Sequence, residues 1–115
     1  MKITQKHQTF ERKNSDVCIV TEYPIEDQDI DIARVQITSR YPAEGWAINR
    51  KCKEIVYVQE GSGKVVVGDQ EYPLVAEDVV LIEAGERFYW DGSLSLLISC
   101  TPAFTVDQHH VIQGE

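Results

Sequence analysis

Histidine is nearly missing: His7, His109 and His110 are the only imidazoles among 115 residues, and none lies between Gln8 and Gln108. Chemistry resting on a histidine base or on several imidazole metal ligands has little material in the body of the chain. Cysteine is scarce too. Cys18, Cys52 and Cys100 are odd in number and lack CxxC spacing, which argues for reduced thiols over a disulfide frame or a zinc knot. No apolar run approaches the roughly 20 residues that span a bilayer. The opening MKITQKHQTFERKN has no apolar segment of the secretory kind, so a cytoplasmic location is expected. Basic clusters are absent and the formal net charge is −8, which repels phosphate backbones and anionic lipid heads. Nucleic acid and membrane are therefore not expected partners.

What is present points to sheet. With 43% hydrophobic and 26% charged residues, the chain suits one domain burying roughly two thirds of its unfolded surface. Val17–Tyr23 and Ile32–Ser39 are β-branched, and in the second Ala33, Val35, Ile37 and Ser39 alternate with polar neighbours. Further short runs follow at Trp46–Lys51, Ile55–Gln59, Lys64–Val67, Glu71–Leu74, Val79–Ile82, Phe88–Trp90 and Leu94–Cys100. Turn signals such as YPAEG, EGSG, GDQ, EAGE and DGS separate them, and no segment sustains a helical period. An all-β sandwich or barrel in a single domain, 1–115, is expected. Within it, 1–40 supplies N-terminal strands, 41–102 the barrel proper and 103–115 a looser tail whose Val106, Val111 and Ile112 are available to pack on the barrel.

Two motifs fail on inspection. GSGK looks like a phosphate loop, but the glycine expected five residues ahead of the Gly-Lys pair is Val58 and the following Ser/Thr is Val65. Gly61 and Gly63 are read instead as a hairpin turn. Asp27, Asp29 and Asp31 copy the start of a calcium loop, but its glycine would fall at Ile32 and its closing glutamate at Thr38. The acidic stretch Glu22–Asp31 is read as a solvated loop between strands.

Glu54 is followed after six residues by Gly61, and farther on the chain reads AEDVVLIEAGERFYWDG with Asp78 and Gly85 at characteristic positions. This pattern resembles the cupin family over about Tyr41 to Pro102, and the resemblance implies a jelly-roll barrel. It also implies homodimers, often through exchanged N-terminal strands, for which Met1–Tyr23 is the candidate here. The departures fall on the chemistry. Where the family's first motif carries two histidines, this chain has Ile48 and Arg50, or Ala47 and Asn49 with the longer spacer; in the second, Phe88 replaces the histidine, Glu83 the proline and Gly92 the asparagine. One carboxylate alone does not hold a divalent transition metal tightly, so neither metal nor other cofactor is expected.

The same strand period places Arg50, Cys52 and Glu54 on one face. Arg50 there would pair with Glu54 or clasp a ligand anion, and Phe88 and Trp90 would wall the cavity with aromatic surface suited to sugars or planar rings. Arg50, Cys52, Glu54, Phe88 and Trp90 are accordingly the candidate ligand-binding residues. The leading expectation is a small-molecule-binding barrel without catalysis, its ligand a sugar or small carboxylic acid. Second stands a cupin-type enzyme: an isomerase, epimerase or lyase with Glu54 as base, or an oxygenase on a site rebuilt from Cys52, Glu54 and His109 or His110. Third is a barrel that only presents a dimer surface.

Overall fold

A computed structural model describes residues 1–114, which form nine strands and two single-turn 3-10 segments. The strands are β1 (Phe10–Ser15), β2 (Cys18–Glu22), β3 (Asp31–Ile37), β4 (Trp46–Asn49), β5 (Lys53–Val67), β6 (Gln70–Val75), β7 (Val79–Ile82), β8 (Arg87–Thr101) and β9 (His109–Ile112). All pairings are antiparallel. Among the described residues no helix is long and apolar enough to cross a membrane.

Two long strands organise the barrel. β5 and β8 pair along nearly their whole length, from Lys53 opposite Thr101 to Val67 opposite Phe88. One end of this ribbon extends through β3, β2 and β1 on one side and β7 on the other. The other end extends through β4 and β9 on the β8 side and β6 on the β5 side. The curled sheet folds over a core that includes Val56, Val58, Leu96, Ile37 and Ile82. Alternation is plain at the start of β5, where Glu54, Val56 and Val58 are buried and Ile55 and Tyr57 are exposed.

Three sequence expectations need correction. EGSG and DGS do not reverse the chain: β5 runs through Gly61 and Gly63, and β8 runs through Gly92. The glycines instead let the two strands touch, since Gly63 lies opposite Gly92 and a Cβ added to Gly61 would stand 2.0 Å from the Ser93 carbonyl oxygen. Gly61 (φ 95°) and Gly92 (φ 122°) also hold backbone angles that side chains resist. Second, the tail is not loose. Its β9 pairs with β4, although Val106 and Val111 remain exposed and only Ile112 is half-buried. Third, Glu22–Asp31 is not loop throughout: Glu22 ends β2 and Asp31 opens β3, while β1 pairs with β2 of its own chain.

Candidate functional site

A cavity opens inside the barrel between β1, β2, β3, β8 and the stretch ahead of β4. It encloses about 530 Å³ counted with its mouth but is narrow, leaving the centre of a water molecule only about 60 Å³ to move through. Such a slot suits a small ligand over a bulky one.

One wall is acidic. Asp31 of β3, Cys100 of β8 and Glu54 of β5 are register partners side by side across three strands. The Cys100 Sγ lies 3.9 Å from Glu54 Oε2, a long contact for a thiol donor. Burial, reinforced by the nearby Asp31 charge, pushes the Glu54 carboxyl up to about 7. Burial likewise raises Asp31, against the backbone N–H of Phe104 that donates to Asp31 Oδ2 at 2.9 Å. The neighbouring Cys52 and burial raise the Cys100 thiol, while proximity to Cys100 draws Cys52 down.

A second wall carries a polar relay. His109 Nδ1 lies 2.8 Å from Asn49 Oδ1 and His109 Nε2 lies 2.8 Å from the Tyr41 hydroxyl. A carbonyl oxygen only accepts, so the imidazole proton sits on Nδ1 and Nε2 accepts from the Tyr41 O–H. Burial, chiefly, lowers His109 to about 4, keeping it neutral at physiological pH, and raises the Tyr41 phenol. Gln108 anchors the relay: its Nε2 donates to Asn49 Oδ1 at 3.1 Å, while its Oε1 accepts from the backbone N–H groups of Lys51 and Cys52. Tyr41 is pinned by reciprocal backbone hydrogen bonds with Trp90 of 2.8 and 2.9 Å. Aromatic surface completes the slot, with Phe88 and Trp90 edge to face at 6.1 Å between centroids and Phe104 5.8 Å from His109.

The structure thus brings Glu54, Phe88 and Trp90 to the cavity and leaves two proposed partners outside it. Arg50 is exposed, and its expected pairing with Glu54 does not form. The strand period breaks at the bend between β4 and β5, where Gln108 binds the backbone of residues 50 to 52. Cys52 is buried, 1% exposed, behind Cys100 and does not line the cavity. His109 does not join Cys52 and Glu54, and His110 is exposed. The arginine on the cavity is Arg12, and Glu22 and Asp31, read as solvated loop, also face it. Sequence reasoning missed Tyr41, Asn49 and Gln108. The available signal was Asn49 itself, a polar residue at a position where the family motif calls for a ligand.

The site does not fit the transition metal that many barrels of this kind hold. Among the described residues no three His, Cys, Asp or Glu side chains are grouped so as to hold an ion. The one imidazole on the cavity is engaged through both nitrogens by Tyr41 and Asn49.

This architecture is the cupin fold. Streptomyces PAC13 solved with uridine is similar at TM-score 0.86 and 18% identity, covering 98% of this chain and 91% of that one. A further structure of the same protein describes it as a nucleoside dehydratase (TM-score 0.86, 18% identity, 98% and 92% covered). An RmlC-like cupin from Shewanella frigidimarina follows at TM-score 0.71 and 16% identity, covering 88% and 90%. A cupin-superfamily sugar phosphate isomerase from Silicibacter pomeroyi gives 0.66 and 16%, covering 86% and 74%. No family model matches the chain, and no curated protein matches it.

Proposed function

We propose that the protein is an acid–base enzyme, a dehydratase or isomerase acting on a hydroxylated small molecule with a planar or sugar ring. The observation that carries this is Glu54, a buried carboxylate facing an aromatic slot with its ionisation near 7. That value suits a general base at physiological pH, because both protonation states are populated. Fold neighbours with described activities, a nucleoside dehydratase and a sugar phosphate isomerase, support catalysis over the non-catalytic binding barrel expected first. Arg50, which beside Glu54 would lower its pKa, lies outside the cavity.

Both reactions begin with the same step. Glu54 takes a proton from a carbon next to a carbonyl, and the electron pair moves toward the carbonyl oxygen. If a β-hydroxyl then leaves with a proton from Tyr41, water departs and a double bond remains. If the carbon is reprotonated instead, the product is an isomer or epimer. Neutral His109 accepts the Tyr41 O–H at Nε2 and so orients the phenol, Asn49 keeps its ring in that tautomer, and after elimination the proton that Glu54 took from carbon returns Tyr41 to its neutral form through solvent. The test is NMR of nucleosides and sugars bearing an adjacent carbonyl, incubated with the protein in D2O. Deuterium entering at carbon, or loss of water, supports the reading; a panel inert to exchange and elimination, with ligands that bind unchanged, returns the protein to the binding class.

We further propose a homodimer, through the outer face of β5 and β7 and not through strand exchange. Ile55 and Leu81, and Tyr57 and Val79, are register partners there, each 41–58% exposed, and a contiguous apolar face of this kind marks interaction surfaces. Sedimentation giving a monomer at micromolar concentration would reject it.

A further inference from the structure

We propose that the cavity takes an uncharged substrate and turns away phosphorylated or carboxylated ones, and that Glu22 sets this preference by occupying the arginine that lines the cavity, Arg12. The inference rests on the acid–base reading above and narrows its substrate class.

Arg12 is the sole lysine or arginine lining the cavity among the described residues, and it shares that lining with the carboxyl groups of Glu22, Asp31 and Glu54. Its guanidinium is already committed. Nε donates to Glu22 Oε2 at 2.6 Å, Nη1 donates to Asn14 Oδ1 at 2.6 Å, and Cζ lies 4.8 Å from the centroid of the Phe104 ring. The pair is largely shielded, with 23% and 17% side-chain exposure. A phosphate entering the slot has two options. It remains beside carboxylates with no free cation, or it takes Arg12 and strands Glu22 half-buried without a partner. A neutral ligand faces neither cost, since carboxylates accept from its hydroxyls and the aromatic walls receive its ring.

The register makes Glu22 the determinant. On the β1–β2 hairpin Phe10 lies opposite Glu22 and Arg12 opposite Val20, so Arg12 and Glu22 are diagonal neighbours on the inward face. Glu22→Gln keeps the shape and a hydrogen-bond acceptor while releasing the arginine's charge to the cavity.

The experiment compares uridine with uridine 5′-monophosphate by NMR titration at low ionic strength. Wild-type protein should bind uridine at least tenfold more tightly than the monophosphate. Glu22→Gln should reduce that ratio several-fold or invert it, and Arg12→Gln should enlarge it. Equal or tighter monophosphate binding by wild type, or an unchanged ratio in both folded variants, overturns the proposal. A ligand-free arm follows Asp31 by carboxyl 13C NMR, since Arg12 lowers and Glu22 raises its titration. Its midpoint should fall in Glu22→Gln and rise in Arg12→Gln. If neither probe binds wild type, uridine is excluded as a ligand while the charge claim is decided here, and an Asp31 midpoint unmoved in both variants sinks it.

Discussion

Two cross-strand pairs on the same two strands and the same face, four residues apart, have opposite duties. Val58 and Leu96 are register partners with no exposed surface, sealed inside the core. Glu54 and Cys100 are partners at the other end of the same stretch and open on the cavity. Backbone geometry does not distinguish them, so side chain and neighbours must. The apolar pair gains from leaving water, roughly 1.5–3 kcal/mol for a fully buried aliphatic side chain. The acidic pair loses from it, which is why the Glu54 carboxyl holds its proton up to about pH 7. Stability concentrated in the one pair offsets chemistry placed in the other.

The sharpest way to break this comparison is Glu54→Gln. The amide keeps the volume and cannot serve as a base, so turnover of a substrate identified by deuterium exchange should fall roughly 10²- to 10⁴-fold. The fold should survive, because a neutral group replaces one that burial disfavours when charged. Unchanged turnover in a folded variant would move the base elsewhere. The complementary substitution, Leu96→Ala, should lose about 2–5 kcal/mol in urea unfolding by leaving a cavity in the core. Turnover per folded molecule should stay near wild type. If Leu96→Ala instead removes activity while barely changing stability, the two pairs do not divide labour as described.

A pH series sharpens the same contrast. Glu54 is raised from its ordinary 4.5 to about 7, so between these values the unfolded chain ionises first and stability falls as pH rises. His109 is lowered from 6.5 to about 4, so the unfolded chain takes up its proton first on acidification, and stability falls as pH drops through that window. Each contributes at most about 3 kcal/mol, and between pH 4.5 and 6.5 the slopes oppose one another. Glu54→Gln should unmask a rise of stability with pH, and His109→Gln a fall, both read from urea midpoints. Asp31, also raised, should contribute comparably to wild type and both variants, so differences between the proteins carry the information. Parallel curves in all three would mean that neither group is perturbed by the barrel interior.

The all-β architecture was legible because Val35, Ile37, Val56 and Val58 alternate with polar or exposed neighbours, and period two has one structural reading. Glu54, Phe88 and Trp90 were legible as a group because the motif resemblance fixed their places on the strands. The glycines misled. Gly61 and Gly92 carry the composition of a turn, yet their function is close approach between strands distant in sequence, which no local signal separates from a reversal. Glu22 and Asp31 misled for a related reason: they terminate strands flanking an acidic loop, and only β-pairing to β1 and β8 turns them inward. Tyr41, His109 and Gln108 were hidden by distance, since the relay joins residues 68 positions apart in the chain.

Arg50 offers the smallest expected effect and the cleanest contrast with Arg12. Its backbone N–H donates to the Gln108 carbonyl oxygen at 2.9 Å, a bond that any residue but proline supplies, while its side chain lies in solvent. Arg50→Ala should therefore change stability by no more than about 0.5 kcal/mol and leave uridine affinity at its wild-type value by NMR titration. Arg12→Ala, by contrast, leaves Glu22 half-buried and uncompensated, and should cost more in both measurements. The two arginines thus test whether the inside of the barrel or the bend outside it recognises ligand. A tenfold loss of uridine affinity on Arg50→Ala would place recognition on the bend, as an unbroken strand period from Glu54 back through Cys52 to Arg50 predicts.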